Sequence, residues 1–392
     1  MIWKGEPMKR KSLFIVLAAL GALLVGLAAN LNAADKYLYT ALPFLSSEHS
    51  GTAYDINNFN KIVGSVGGAA VNPRPTLWEF SGGAWTVTNL GTLPGGDYYS
   101  ARSINDAGKV VGIYEKGYYS GAFYVNPGGA IADLPSPGGA GTNIDAYGVN
   151  TAGVMTGMAN GSPYTYDGIA FSYLPKPAGS PWWFNAFAIN NAGQVAGKGQ
   201  MGIATSTPFL YTPGSGTLAM QLLGAHGGAI GLNDNGVSVG WSNVTTDGGL
   251  GHPVMWNAAG QIFDLGTLGH GSGQTNRGAN AINNQGTIVG SSVTTNYQDH
   301  AFVYTAAAGI QDLNNLLLNP GDLGTEFLTE AYGINENGYI VGVTNANHPF
   351  LLTPEQFVEP PSLTPIPGGL LLLGSGLLGL VGWKGRKLLR RD

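Results

Sequence analysis

The residues of this chain that could carry acid–base or metal chemistry are few, and their spacing is regular. Its six His residues stand at positions 49, 226, 252, 270, 300 and 348. His252, His300 and His348 each open an apolar, aromatic-rich run (HPVMW, HAFVY, HPFLL), while His49, His226 and His270 fall in loops after leucine-centred runs. A metal centre needs three or four ligands converging on one point, and no HExxH or comparable spacing is present. Residues that recur at one place in a repeat are held apart by it. These His are therefore expected to be structural, with no metal and no cofactor. Cys is absent, which removes thiolate nucleophiles and disulfides together.

Glycoside cleavage would need two carboxylates on opposite sides of one bond. Glu326 and Glu330, in NPGDLGTEFLTE, have the spacing to share a face of a short surface helix. Asp106 and Asp234 fall inside turns, and Asp133, Asp264 and Asp312 each precede a Leu. No GxSxG elbow, Walker loop or dinucleotide fingerprint occurs, and GGAGTN at Gly138 lacks the Lys a phosphate loop requires. The expectation is a chain that is not an enzyme; the alternative is an extracellular polysaccharide-acting enzyme with acidic residues in its variable loops. Aromatic clusters offer binding chemistry instead. Trp182, Trp183 and Phe184 are adjacent in one loop, and Tyr98 and Tyr99 lie in an equivalent earlier loop. They could stack on sugar rings or dock a partner, or they could close as an apolar lid.

Positioning these groups falls to a repeat. AINNQGTIVG (281–290) is echoed by DINNFNKIVG, SINDAGKVVG, GVNTAGVMTG, AINNAGQVAG, GLNDNGVSVG and GINENGYIVG. Its Asn falls at Asn57, Asn105, Asn150, Asn190, Asn233, Asn283 and Asn335, separated by 48, 45, 40, 43, 50 and 52 residues. Three places later stands Gly108, Gly153, Gly193, Gly236, Gly286 or Gly338, and Asn60 in the first copy. Asn is next to Gly in tolerating positive φ. The pattern predicts a hairpin whose Asn side chain caps a type I turn closed by a left-handed residue. The second Gly of each copy, such as Gly112 or Gly290, is expected to end the returning strand where backbones crowd.

Two more strands recur. One is aromatic, around Trp78, Phe123, Tyr164, Phe209, Trp256, Phe302 and Phe350; the other is centred on Leu90, Leu134, Leu174, Leu222, Leu265 and Leu313. Four short strands per repeat of this length is the period of a propeller blade. Longer paths, such as the 15 residues from Leu90 to Asn105, mark crossings between blades. After Phe350 the chain runs into a Pro-rich linker (354–365), so the seventh blade lacks a fourth strand. KYLYTALPFL supplies it, with Leu42 again 15 residues before Asn57. The expected fold is all-β: a seven-bladed β-propeller over residues 37–353, closed by the N-terminal strand, with an open β-solenoid as the rival. This block resembles the HAF-repeat family of extracellular proteins, whose His-Ala-Phe triplet stands here as His300-Ala301-Phe302. The resemblance implies an extracellular setting and carries no catalytic residues.

Charge is segregated toward the ends. Nine of the 18 Lys and Arg residues lie outside the span from Ala34 to Trp383, which holds nine basic and 21 acidic residues, a net of −12. Nucleic-acid binding, which needs a basic face, is not expected. Lys9-Arg10-Lys11, an apolar run and small residues near Ala33 read as a signal peptide over 1–33. Residues 366–383 form an uncharged run of transmembrane length, followed by a basic tail (384–392) expected in the cytoplasm. Pro365-Ile366-Pro367, the Gly-containing apolar run and the Arg-rich end resemble a PEP-CTERM sorting signal, with Pro-Ile-Pro where that family has Pro-Glu-Pro. The resemblance implies secretion across the inner membrane, transient anchoring by the C-terminal helix, and handling by an exosortase-like enzyme that passes the protein to the cell surface. The functional expectation is a secreted cell-surface or extracellular-matrix protein with a non-catalytic binding or structural role, associated with polysaccharide. Deleting residues 369–392 should move the protein from the membrane to the soluble fraction on fractionation; retention on membranes would place the anchor elsewhere.

Overall fold

The computed structural model describes residues 36–358, apart from 46–47, 69–70, 140, 177–182, 203–204, 246–248 and 271–277. Seven antiparallel sheets succeed one another along the chain and form a seven-bladed β-propeller. The first blade is typical: an inner strand (Ser50–Ile56), its hairpin partner (Ile62–Gly68), a third strand (Val71–Ser81) and an outer strand (Ala84–Asn89). In the sixth blade the inner edge comes in two pieces, Gly269–His270 and Ala279–Ile282, both paired with Ile288–Thr294. Because strands alternate in direction, the crossings and middle hairpins gather at one end of the axis. The Asn turns gather at the other.

The ring closes as the sequence predicts. Tyr37–Ala41 pairs antiparallel with Pro349–Pro354, with Leu38 opposite Thr353, and supplies the outer strand of the seventh blade. The free edge of that strand is then covered: Asn319 accepts from Tyr39 N–H at 2.8 Å and donates to Tyr39 C=O at 3.0 Å. An uncovered edge would invite pairing with another chain.

The blades taper toward the axis, and side-chain size follows. On every inner strand a fully buried Ala (Ala53, Ala101, Ala146, Ala186, Ala229, Ala279, Ala331) faces the second Gly of the repeat across the hairpin. A Cβ at that Gly, for example Gly112 or Gly290, would collide with an inner-strand carbonyl oxygen. One strand farther out the partner is large: Phe123, Tyr164, Phe209, Phe302 and Phe350 all sit opposite their blade's Gly. Each such buried ring contributes roughly 1.5–3 kcal/mol of burial energy. The Gly lies within the second strand, not at its end as expected, because crowding is greatest where Ala, Gly and aromatic stack.

The Asn residues do more than cap turns. Each Oδ1 accepts backbone N–H groups of its own turn, as Asn283 does from Gln285 and Thr287. Each Nδ2 donates to the backbone carbonyl of the Asn in the next blade: 57 to 105 (3.0 Å), 105 to 150 (2.8 Å), 150 to 190 (3.2 Å), 190 to 233 (3.0 Å), 233 to 283 (3.1 Å) and 283 to 335 (3.2 Å). Asn335 donates to Asn57 at 3.0 Å and completes the circle. The left-handed residue that closes each turn has the expected geometry too: φ is 83° at Gly286 and 60° at Asn60.

Two sequence assignments shift. In the fourth blade Met220, not Leu222, holds the buried place after the outer strand, its N–H donating to Pro208 C=O as Leu265 N–H does to Pro253 C=O. Glu326 and Glu330 share no helix. The crossing folds into 3-10 turns at Leu313–Leu316 and Pro320–Leu323, and Glu330 lies in the strand Leu328–Ile334. The expected signal peptide (1–33), Pro365, Pro367, the apolar run 366–383 and the basic tail lie outside the described residues; among those described, no helix is long and apolar enough to cross a membrane. The ring of amides yields a direct test. Asn283→Ala should cost about 1–3 kcal/mol in urea unfolding, whereas Asn284→Ala, its exposed neighbour, should cost under about 0.5 kcal/mol. Equal losses would overturn the latch.

Candidate functional site: the axial mouth

Each inner strand carries a bulge at one place, three residues before the Asn. The register slips between Ala53 and Asp55, and again at the matching place in the other six blades. A bulge leaves one residue out of the ladder and re-aims its side chain. The seven residues so released are Tyr54, Arg102, Tyr147, Phe187, Ile230, Asn280 and Tyr332. They line a cavity of about 380 Å³ on the axis at the crossing end. Below them a collar of Ile56, Ile104, Val149, Ile189, Leu232, Ile282 and Ile334 separates this mouth from a polar one of about 240 Å³ at the Asn end.

The upper mouth is aromatic with a charged rim. Tyr54 and Tyr332 meet edge to face at 5.2 Å, and Tyr147 and Phe187 do so at 5.1 Å. The Arg102 guanidinium lies over the Tyr54 ring at 4.4 Å, and its buried Nε has no hydrogen-bond partner. Tyr332 O–H donates to Glu330 Oε2 at 2.9 Å, and Asn280 Nδ2 donates to Glu330 Oε1 at 3.0 Å. Burial raises the Tyr332 and Tyr147 phenols, reinforced by the Glu330 and Asp145 carboxylates, so both stay neutral donors. Asp55 accepts from Ile56 N–H at 2.8 Å and, across the blade boundary, from Ile104 N–H at 2.9 Å. Burial pushes its carboxyl up to about 6 despite these bonds. Aromatic faces beside hydrogen-bonding rims suit a ring with one apolar face and polar edges.

The lower mouth is built differently. In six of the seven blades the residue after the Asn accepts the equivalent backbone N–H of the preceding blade: Asp106 from Asn58, Asn191 from Thr151, Asp234 from Asn191, Asn284 from Asp234, Glu336 from Asn284 and Asn58 from Glu336. Asp106 and Asp234 thus serve as turn residues. The outer-strand carboxylates are likewise engaged: Tyr114 O–H donates to Asp133 at 2.8 Å, and His252 and His300 pair with Asp264 and Asp312 at 3.0 and 2.7 Å. His348 pairs with Glu326 at 2.8 Å. Among the described residues no group of three or more such side chains is placed to hold a metal.

The aromatic residues singled out in the sequence are separated by the fold. Phe184, 1% exposed, packs on Phe209 inside its blade. Tyr99, also 1% exposed, stacks on Tyr114, accepts from Leu93 N–H and donates to Leu93 C=O. Side chains so buried present nothing to a ligand. Tyr98 is 51% exposed and Trp183 43%, but they line different cavities at different blade boundaries. Trp182 lies outside the described residues. The axial residues escaped the sequence reading because the decapeptide starts one position after them. Variation at that position, among neighbours that barely change, was the available signal.

No protein-family model matches the chain, and no curated protein sequence matches it. Solved structures do. A catalytically inactive virginiamycin B lyase from Staphylococcus aureus, solved with quinupristin, superposes with a TM-score of 0.51 at 10% identity, over 81% of this chain and 99% of that one. U3-55K gives a TM-score of 0.51 at 12% identity, over 80% and 98%. A gluconolactonase from Xanthomonas campestris follows at 0.39 and 11% identity, over 63% and 82%, too loose a superposition to weigh. These likenesses show the propeller fold alone. One expectation is corrected by them: that the chain is not an enzyme does not stand, because the lyase shares its architecture. They establish no activity either.

Asp55 generates a pH test. Its carboxyl titrates near 6 when folded and near 3.8 when unfolded, so between those values the folded state holds the proton more tightly. That contribution is full below about pH 4 and is lost as pH rises through 6, by at most about 3 kcal/mol. Relative to Asp55→Asn, the native protein should lose urea stability between pH 4 and pH 7; parallel curves would refute the assignment.

Proposed function

We propose that this protein is a secreted binding propeller of the bacterial cell surface or extracellular matrix, and that its ligand is a glycan taken at the axial mouth of the crossing face. The observation that carries this reading is the set of bulge residues: four aromatic rings, Arg102 and Asn280 converge on one cavity. Stacking rings with a hydrogen-bonding rim match a sugar, whose C–H face is apolar and whose edge is hydroxyl. Exposed aromatic side chains on the surrounding loops support it, among them Tyr98, Tyr118, Tyr119, Trp183 and Tyr297. The signal-peptide pattern and the PEP-CTERM-like end favour export and surface sorting by an exosortase-like enzyme, and the HAF-type repeat favours the same setting.

The test is native electrophoresis in gels containing dextran, xylan, polygalacturonate or alginate. At least one polymer should retard the protein. Tyr332→Ala and Phe187→Ala should each weaken that retardation about tenfold, equivalent to about 1.4 kcal/mol. Phe59→Ala, on an exposed side chain at the opposite end, should leave it unchanged. Free migration in all four polymers, or equal loss in the Phe59 variant, would overturn the reading.

A further inference from the structure

Another cavity, of about 250 Å³, opens at the boundary of the fourth and fifth blades, lined by Trp183, Lys198, Gln200, Ser206, His226 and Trp241 among others. Two features set it apart. Trp241 is 2% exposed, yet its indole Nε1–H has no hydrogen-bond partner. A buried donor left in this condition is costly and rare in native proteins, and it marks a place where an acceptor belongs. The second feature is charge. Among the described residues that line it stand a Lys and no carboxylate, whereas the cavities lined by Arg102, by Arg74 and by Lys116 each also hold an acid.

The other groups complete a recognition set. His226 accepts from Ser206 N–H at Nδ1, 3.4 Å away, so the neutral ring carries its proton on Nε2 and can donate there. Trp183, partly exposed, provides a flat face at the rim. Lys198 Nζ stands 5.8 Å over the ring of Phe187, which itself lines the axial mouth. The two cavities are therefore neighbours, joined through one Lys–Phe contact.

We propose that this cavity is a subsite for an acidic sugar residue: the sugar ring lies on Trp183, and its carboxylate is held by Lys198 and the Trp241 indole N–H, with His226 as a further donor. The inference rests on the reading of the crossing face as a glycan-binding surface and adds the class of sugar to it. A chain bound at the axial mouth would reach this subsite by continuing outward past Phe187.

The eight tryptophans make the site visible, since each indole N–H gives its own signal in a ¹H–¹⁵N spectrum. Trp241→Phe assigns the Trp241 signal. Titration with sodium glucuronate should shift it, and glucose or sodium acetate at equal concentration should shift it less than about a third as far. Lys198→Met and Lys198→Gln should each raise the half-saturating glucuronate concentration at least tenfold while the remaining indole signals stay in place. A silent Trp241 signal overturns the subsite. So does a shift by acetate as large as that by glucuronate, which defines a bare anion site, or an unchanged midpoint in both Lys198 variants. If Trp241 is silent while Tyr332→Ala still releases the protein from a retarding polymer, axial binding stands and only the acidic subsite falls.

Discussion

Closure of the ring depends on seven amide side chains that each reach out of their own blade to the next. Each Asn is buried, and its Oδ1 is taken by its own turn, while its Nδ2 reaches the carbonyl of the blade that follows; Asn190 alone also finds an acceptor in its own blade, Gln194 Oε1 at 2.8 Å. In an open arc the last Asn would keep a buried donor without an acceptor. That orphan costs about 1–3 kcal/mol, more than one satisfied bond contributes. Apolar packing between blades would be content with six, seven or eight neighbours; the amide circuit requires that the last blade find the first. Asp could not replace Asn, since it has no donor, and Ser is too short to cap the turn and cross the boundary together. The same logic explains why Asn60 tolerates the place of a Gly in the first copy while the Asn three residues earlier never changes.

The taper imposes the second layer of order. Blades converge on the axis, so the stack across each hairpin must begin small, and Ala against Gly is as small as two strands allow. Only farther out is there room for Phe, Tyr or Trp. Packing this tight cannot absorb the residue that follows the Ala, and the bulge ejects it toward the axis. That residue is thereby released from the demands of the core. The chain places Tyr, Arg, Tyr, Phe, Ile, Asn and Tyr there in turn, next to positions that scarcely vary. The structural residue and the one proposed for recognition are thus written side by side on one strand.

Local periodicity made most of the architecture legible. The left-handed turn residue, the aromatic third strand and the N-terminal strand that completes the last blade all follow from spacing, because each obeys a rule spanning a few residues or a fixed offset. What was not legible lay across blade boundaries. The donor role of the Asn side chain joins positions 40 to 52 residues apart, and nothing local announces it. Leu222 outranked Met220 in the pattern because both are apolar, and only the bond from Met220 N–H to Pro208 C=O fixes the register. The Trp-Trp-Phe run looked like one site, yet the blade takes Phe184 inward and leaves Trp183 at the rim. Adjacency in sequence decides little where alternate residues of a strand face opposite ways.

The two ends of the axis differ in a manner that gives the ring a direction. At the Asn end the mouth carries Asp106, Asp234 and Glu336 among amides and a hydroxyl, and most of these side chains are tied to the preceding blade's backbone. At the crossing end stand aromatic rings with Arg102, and Lys198 lies just outside them. Seven aliphatic side chains stand between, so the axis reads as two shallow basins back to back and not as a passage for polar solutes. An anionic polymer approaching the acidic end meets repulsion within a Debye length of about 8 Å. At the crossing end the proposed ligand would meet Arg102 and Lys198 among aromatic faces, with the Glu330 carboxylate there already engaged by Tyr332 and Asn280. A negatively charged body can therefore still take a negatively charged ligand, provided that it offers one end and withholds the other.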